Sequence, residues 1–388
     1  MRTDLAEAVS QWLSPRLPEF EAALKELVEV NSFTQNREGC NRVGELLAAH
    51  LALPGITHEV VKGERFGDHH LFFTAGREGE KPVVLVGHLD TVFPPGTFEG
   101  YRVDGELRRG PGVLDMKSGL LVVTWALKAL AAQDALASLP PLVFIVVSDE
   151  EVGSPESQPL LRRVAQGAQA ALVFESGRAK DAIITRRKGV GALVARAHGV
   201  AAHAGNHHRE GKNAIWAIAR FIDGAQQLTD YDRGVTVNVG KVAGGQGKNT
   251  VPEDAEAHLD MRFCTAADAD ALVDGLRQAA ASIAGQVPGT HVTLEGGVTR
   301  APLERTEASA ALLESYGRCA HAHGLGHGEA DLIGGGSDAS TTGSIGVPSI
   351  DGLGPRGSGF HTREECIEVQ TVIPKTQALA AWLASLAA

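Results

Sequence analysis

Buried strands and helices alternate along the first half of the chain. The segments PVVLVGHLD (82–90), PLVFIVVSDE (141–150) and AALVFES (170–176) are continuous apolar runs. Such runs are typical of strands that are buried on both faces of a sheet. Apolar residues at helical spacing lie before and between these strands, at 18–30, 40–52 and 118–133. The pattern predicts an α/β domain with a mostly parallel sheet and helices on both faces.

The pattern changes in the middle of the chain. Four strand-like segments, VGALVARAHGV, VTVNVGKV, AEAHLDMRF and HVTLEGGV, surround helix-like stretches at 211–228 and 266–284. This order suits an α+β domain of the ferredoxin-like type. Helix–strand alternation then resumes after about residue 301. We therefore predict a discontinuous α/β domain (1–187 and 301–388) that is interrupted by a smaller α+β domain (188–300).

Composition restricts the partners of this chain of 388 residues. Lys plus Arg number 36 and Asp plus Glu number 47, so the formal net charge is −11. This balance argues against nucleic acid and anionic membranes as partners. We see no signal peptide and no apolar run long enough to span a bilayer, which leaves a cytoplasmic location as the expectation. The four cysteines form no CxxC pair, which favours free thiols in a reducing compartment.

Acids and a histidine lie where the three predicted strands end. His88 and Asp90 end the first strand, residues 149–151 (Asp-Glu-Glu) the second, and Glu175 the third. Because ligands bind beyond the carboxyl ends of parallel strands, we expect these side chains to meet at one edge of the sheet. Residues i and i+2 of a strand share a face, so Asp90 could orient the His88 imidazole.

Two glycine-rich segments complete the pattern with Asp115 (in RGPGVLDMKSG) and His361 (in GSGFHT). Buried carboxylates without partners are costly, but a bound dication reverses that cost. A ligand set of carboxylates and imidazoles without thiolate suits catalytic zinc, with cobalt or manganese possible. Strand-end acids are often merely solvated, and a lone histidine is more often structural than a ligand. The joint pattern makes chance a poor explanation.

Other motifs carry less weight. No GxGxxG follows a strand, GGQGKNT lacks the Ser or Thr that a P-loop requires after its lysine, and no GxSxG is present. These absences argue against dinucleotide, nucleotide and serine-hydrolase chemistry. Five further histidines lie outside the strand-end set and are interpreted as solvated, namely His207, His208, His321, His323 and His327.

The motifs VGHLDTV, RGPGVLDMKSG, SDEEVGS, FES, AHAG, GGGSDAS and FHT together resemble the zinc-dependent aminoacylase/carboxypeptidase family of di-zinc exopeptidases. The resemblance covers nearly the whole chain and is greatest to the bacterial glutamate carboxypeptidase (folate-hydrolysing) branch. It implies two Zn²⁺ per subunit, with Co²⁺ or Mn²⁺ as substitutes. It also implies that residues 1–187 and 301–388 form the catalytic di-metal domain, and that residues 188–300 form a lid through which the chain forms a homodimer.

The resemblance assigns roles to the strand-end residues. Asp115 would bridge the two ions, His88 and Glu175 would bind one of them, and Glu151 and His361 the other. Glu150 would be the general base, and Asp90 would support His88. A cis peptide after the bridging aspartate, here Asp115–Met116, is also implied.

Residues of the middle domain receive substrate roles from the same resemblance. His203 would reach the active site of the partner subunit and polarise the scissile carbonyl. Asn249, Arg262, Arg300 and Gly336 match substrate-binding positions, and Arg300 matches an arginine that binds the acidic end of the substrate. The segment SGRAKDAIITRRKG departs from the glutamate-specific enzymes and leaves the substrate preference open.

The expected function is that of a di-zinc hydrolase acting on an amide or peptide bond next to a free carboxylate, as in a glutamate carboxypeptidase. The alternative is an N-acyl amino acid deacylase of the aminoacylase, acetylornithine deacetylase or desuccinylase type. A third hypothesis is an inert relative that binds metal or ligand, against which the intact Glu150 argues.

Overall fold

A computed structural model describes residues 2–387, and the first part of the chain alternates helices and strands as the sequence predicts. The elements before residue 187 are α1 (Arg2–Leu13), α2 (Leu17–Val28), α3 (Arg37–His50), β1 (Ile56–Val61), β2 (His69–Thr74), β3 (Val83–His88), β4 (Arg102–Asp104), β5 (Leu107–Arg109), α4 (Ser118–Ala131), β6 (Leu142–Val147), α5 (Ser157–Ala165) and β7 (Ala170–Val173).

The remaining elements follow in two groups. The middle of the chain contains β8 (Gly189–His198), β9 (Ala202–His203), α6 (Ala214–Gln226), β10 (Thr236–Gly244), β11 (Thr250–Val251), β12 (Asp254–Phe263), α7 (Ala266–Gln286) and β13 (His291–Arg300). The last part contains α8 (Glu307–Ala322), α9 (Asp338–Gly343), β14 (Ser349–Ile350), β15 (Gly357–Ser358), β16 (Cys366–Glu368) and α10 (Val372–Ser385).

The described residues divide into two compact units. Unit 2 comprises Arg187–Glu304 together with the short segment Ile333–Gly336. Unit 1 comprises the rest, so its chain is interrupted by unit 2. No periodicity in the sequence signals the return of residues 333–336 to unit 2.

Unit 1 is built on a sheet with the strand order β1-β2-β6-β3-β7-β14. The pairs β6–β3, β3–β7 and β7–β14 are parallel, which confirms the mostly parallel sheet. β1 and β2 are antiparallel additions at one edge. The sequence pattern does not predict β1, because its segment ITHEVV is largely exposed and lacks the apolar run of a central strand. A small antiparallel sheet with the order β15-β16-β5-β4 is likewise not predicted.

The central strands β3, β6 and β7 are buried along their whole length, as their apolar runs predict. Helix α4 packs closely against the chain that follows β7. A Cβ added to Gly119 would lie only 2.0 Å from the carbonyl oxygen of Phe174. Only glycine permits this close approach, which places the start of α4 beside the carboxyl ends of the strands.

Unit 2 has a four-stranded antiparallel sheet with the order β10-β12-β8-β13. Alternate residues of β8 and β12 pack with α6 and α7 in one apolar core. The opposite positions of these two strands are more exposed. This α+β arrangement agrees with the sequence pattern of two helices among four strands.

Two further features concern the whole described chain. None of the helices in residues 2–387 is long and apolar enough to cross a membrane. All four cysteines are free thiols, as expected.

Candidate metal centre

Asp90 supports both the first histidine and the glutamate turn. Nδ1 of the buried His88 lies 3.0 Å from the carbonyl oxygen of Asp90 and 3.4 Å from its Oδ1. The Asp90 carboxylate also accepts the backbone N–H groups of Glu150 and Glu151, each at 3.2 Å. Thr34 Oγ1 donates to Asp90 Oδ2 at 2.8 Å, a contact that the sequence does not signal. Asp90 therefore connects the end of β3 to the turn after β6.

The acids after β6 lie on a turn and not on a strand. β6 ends at Val147, and Glu150–Val152 form one 3₁₀ turn. The predicted strand, 141–150, was wrong at its carboxyl end. The Asp149 carboxylate accepts the N–H groups of Glu156 and Ser157 at 2.7 and 3.1 Å, so it caps the start of α5. Asp149 thus has a structural role.

Asp115 lies between the two histidines. Its Oδ1 is 3.2 Å from His88 Nε2, and its Oδ2 is 3.3 Å from His361 Nε2. Glu175 Oε1 lies 3.7 Å from His88 Nε2, and Glu151 Oε2 lies 3.1 Å from His361 Nε2. The five side chains therefore form two groups of three that share the Asp115 carboxylate.

These spacings fit metal coordination. Tetrahedral ligands at zinc bond lengths of about 2.0–2.2 Å are roughly 3.3–3.6 Å from one another, and the four distances above are 3.1–3.7 Å. Among the described residues, the buried Glu151 Oε1 has no hydrogen-bond partner. A buried carboxylate oxygen without a donor is costly unless a cation binds it. The residues therefore fit divalent metal ions.

The second glutamate of the turn faces the same cluster. Ligand atoms of His88, Glu150 and Glu175 all lie within 4.8 Å of one another, as do those of His88, Asp115 and Glu151. Within residues 2–387, sets of three such side chains at this spacing occur only around His88. The distant His321 and His327 rings lie 4.7 Å apart without completing such a set.

The electrostatics of the cluster favour protons when no cation is bound. Hydrogen bonds to Asp115 and Glu151 raise the pKa of His361 to about 10. Burial raises the pKa of Glu151 to about 8 and that of Glu175 well above its usual range. Burial alone would raise the pKa of Asp115, but the two imidazoles outweigh it and hold that pKa well below its usual range.

We expect metal binding at this cluster to release protons at pH 7. His361 is protonated there because its pKa is about 10, and burial raises the pKa of the Glu151 carboxyl as well, whereas a metal binds neutral imidazole and ionised carboxylate. Affinity should therefore rise with pH up to about 10, the pKa of His361. Titration calorimetry of the metal-free protein in two buffers of different ionisation enthalpy measures the protons released. Equal heats in both buffers would contradict this expectation.

The structure places the predicted substrate residues in unit 2, in two groups. In the first, His203 is exposed on β9, and its Nδ1 accepts the N–H groups of Gly205 and Asn206, both at 3.1 Å. The Asn249 carbonyl accepts the N–H of Ala204 at 2.9 Å. His203 and Asn249 therefore lie on adjacent segments, next to the β9–β11 ladder.

The second group surrounds the glycine segment 333–336. Arg262 Nη1 donates to the carbonyl oxygen of Gly334 at 3.4 Å, and Arg262 Nε donates to Asp260 at 2.9 Å. Arg300 is only 5% exposed, and a Cβ on Gly336 would lie 2.5 Å from Arg300 Cδ. The absence of a side chain at Gly336 thus lets this segment pack against Arg300.

Comparison with known proteins agrees with this architecture. Residues 185–288 match the model of the M20 peptidase dimerisation domain. The chain is 27% identical over 366 residues to carboxypeptidase G2 of Pseudomonas sp. strain RS-16, covering 93% of this chain and 87% of the relative. It is 30% identical over 305 residues to succinyl-diaminopimelate desuccinylase of Paracoccus denitrificans strain Pd 1222, covering 66% of this chain and 75% of the relative.

The chain belongs to the M20 family of metallopeptidases. This confirms the family that the sequence motifs resemble, and it makes this M20 protein a metal-dependent hydrolase of the peptidase and amidohydrolase class. The fold is also that of a dinuclear metal-binding M20 peptidase from Bacillus subtilis, with a TM-score of 0.71 and 16% identity, covering 95% of this chain and 97% of that one.

Proposed function

We propose that this protein is a di-zinc exopeptidase that removes a residue with a free carboxylate, in the manner of a glutamate carboxypeptidase. The observation that carries the proposal is the Asp115 carboxylate, which directs one oxygen to each of two histidines, each with a further glutamate beside it. The similarity to carboxypeptidase G2 over 93% of the chain supports the carboxypeptidase branch.

Two metal positions follow from the two groups of three. His88, Asp115 and Glu175 would hold one ion, and Glu151, Asp115 and His361 the other. When bound, a pair of divalent ions supplies Lewis acidity that lowers the pKa of water towards 7 and polarises an amide carbonyl. The dinuclear centre named for the M20 peptidase from Bacillus subtilis supports this number of ions.

Glu150 is the proposed general base. It follows β6 on the same turn as Glu151, and its carboxylate lies within 4.8 Å of ligand atoms of His88 and Glu175. It would accept a proton from the attacking water and then pass that proton to the nitrogen of the leaving amine. Water and amide are thereby converted into a carboxylate and a protonated amine. Asp90 fixes the start of this turn through the two amide hydrogen bonds.

Unit 2 would supply the substrate contacts. Arginine binds a carboxylate through two parallel hydrogen bonds, so Arg300 and Arg262 suit the acidic end of the substrate. Asn249 and Gly336 would line the same substrate site. We propose that His203 stabilises the developing oxyanion in the active site of a partner subunit.

A homodimer through unit 2 is part of the proposal. Residues 185–288 match a dimerisation domain, and β10 is an edge strand whose Val242 is 59% exposed. The neighbouring helix α6 exposes Ile215 and Trp216, the latter at 55%. An exposed aromatic residue beside an open strand edge is typical of an interface that a second chain covers.

A second candidate function is an N-acyl amino acid deacylase. The 30% identity to a succinyl-diaminopimelate desuccinylase favours it. Both candidates share the metal centre and release a residue with a free carboxylate. They differ in the group on the other side of the amide bond, which is a peptide in a carboxypeptidase and a simple acyl group, such as acetyl or succinyl, in a deacylase. An inert metal-binding relative is disfavoured, because Glu150 has no need to face the cluster in a protein without turnover.

A substrate screen with the zinc-loaded protein tests the proposal. The panel pairs dipeptides that end in Glu or Asp with the same dipeptides amidated at the C-terminal α-carboxylate. N-acetyl and N-succinyl diamino acids represent the deacylase alternative. We expect release of C-terminal Glu or Asp from the free acids and at least about tenfold slower release from the amides, because each lost charge-assisted hydrogen bond costs about 1.5–3 kcal/mol. Hydrolysis of only the acyl diamino acids would favour the deacylase.

A further inference from the structure

The Glu365 side chain binds the turn that carries Asp115. This carboxylate is completely buried. Its Oε1 accepts the backbone N–H groups of Leu114 at 2.8 Å and Asp115 at 3.0 Å, and its Oε2 accepts that of Gly112 at 3.2 Å. No motif in the sequence singled out this residue.

The amides that Glu365 binds belong to an irregular turn. Residues 113–117 are not a regular helix, since Asp115 has φ −119° and ψ 90°. Amides at such a position lack helical acceptors, and leaving them buried without a partner is costly. Glu365 therefore fixes the backbone from which the Asp115 side chain projects.

The same residue closes the loop that carries His361. The Glu365 N–H donates to the carbonyl oxygen of Thr362 at 3.2 Å, and the Thr362 N–H donates to that of Gly359 at 3.0 Å. The main-chain carbonyl oxygen of Glu365 accepts the N–H of Gly110 at 3.4 Å. Through main chain and side chain, Glu365 thus joins the segment before Asp115 to the short loop on which His361 lies.

We propose that Glu365 is a positioning residue that couples these two loops and so sets the spacing between Asp115 and His361. It touches neither substrate nor metal and acts through the two ligands. The proposal rests on the proposed metal centre, and it predicts that both metal positions depend on Glu365 because they share Asp115.

The test compares Glu365→Ala and Glu365→Gln with the control Glu364→Gln. Glu364 is the adjacent residue, with a side chain that is 83% exposed and an ion pair to Arg109. The full-length protein is freed of metal, and its folding is followed by circular dichroism and thermal melting. Chelator competition then gives the Zn²⁺ affinity, and the visible spectrum of the Co²⁺-loaded protein reports ligand geometry.

Removal of a group that orients metal ligands typically lowers metal affinity by about 10–100-fold. We expect Glu365→Ala to lower the Zn²⁺ affinity by close to the upper value, about 100-fold, and to alter the Co²⁺ spectrum. Glu365→Gln should lie near the lower end, because its amide oxygen still accepts from Leu114 and Asp115 while its NH₂ group meets the N–H of Gly112. Glu364→Gln should behave as the wild type.

The outcomes are distinguishable. A purely structural role would lower the melting temperature of the metal-free variants but leave the affinity and the Co²⁺ spectrum of the folded protein unchanged, and this result would overturn the proposal. If Glu365→Ala does not fold, the test passes to Glu365→Gln. A wild-type Zn²⁺ affinity and Co²⁺ spectrum in that variant would also overturn the proposal. Failure of the wild type itself to bind zinc or cobalt would overturn the metal centre, and the role of Glu365 with it.

Discussion

Replacement of Glu150 by Gln should reduce kcat by about 10²–10⁴-fold, the usual contribution of a positioned general base, while metal content stays near that of the wild type. Gln keeps the size of the side chain but cannot take a proton from water. The two amide hydrogen bonds from the turn to Asp90 involve only backbone N–H groups of Glu150 and Glu151, so the substitution leaves them intact. Steady-state kinetics and elemental analysis of the same preparation check both parts.

Glu151→Gln is the matched comparison, because it changes the next residue of the same turn. Its carboxylate lies 3.1 Å from His361 Nε2, so we expect this variant to lose metal as well as activity. Loss of metal from Glu150→Gln would show that Glu150 is a ligand and that the assignment of roles within the pair is wrong. Both outcomes are open to Glu150, because its carboxylate lies within 4.8 Å of ligand atoms of His88 and Glu175 and is therefore close enough to bind a metal.

The second large effect concerns His203, which is exposed on β9 of unit 2. We expect His203→Ala to lower kcat by about 10²–10³-fold, as loss of one oxyanion donor does, with metal content unchanged. The neighbouring exposed His207→Ala is the control and should retain full activity.

Mixing distinguishes action within a subunit from action between subunits. Neither His203→Ala nor Glu150→Gln should be active alone. In a mixed dimer, the subunit that keeps Glu150 would receive the intact His203 of its partner. Random assortment of equal amounts should restore roughly a quarter of the wild-type sites in a two-fold symmetric dimer. Two different affinity tags, one on each variant, verify that mixed dimers have formed. If the verified mixed dimers remain inactive, action between subunits is excluded.

Much of the fold could be predicted because two kinds of pattern are strong. The runs that became β3, β6 and β7 are apolar throughout since both faces of a central parallel strand are covered. In unit 2, β8 and β12 alternate because only one face packs on helices. Edge strand β1 has neither signal, and its partners are visible only once the sheet is assembled.

In the candidate site, too, some residues could be predicted from the sequence and others could not. His88, Asp115 and Glu175 were found because acids and histidines follow buried strands or lie in glycine-rich segments. Glu365 was not predicted because its partners are backbone amides some 250 positions earlier in the chain. Every residue type except proline has a backbone amide, so a sequence does not show which amides a side chain binds. The geometry of residues 149–151 was missed for a related reason, since the end of a strand is decided by hydrogen bonds and not by residue type.

The insertion of unit 2 has a consequence for the newly made protein. Glu175 precedes the insertion, whereas His361 and Glu365 follow it. The proposed metal ligands Glu175 and His361 are therefore 361 − 175 = 186 positions apart. At translation rates of about 5–20 residues per second, this is an interval of roughly 10–40 s. During it, an emerging chain contains Asp115, Glu151 and Glu175 but neither His361 nor Glu365, which binds the Asp115 turn. Loading with metal is therefore expected to follow release from the ribosome, which makes the metal supply at that moment a condition for reaching the active state.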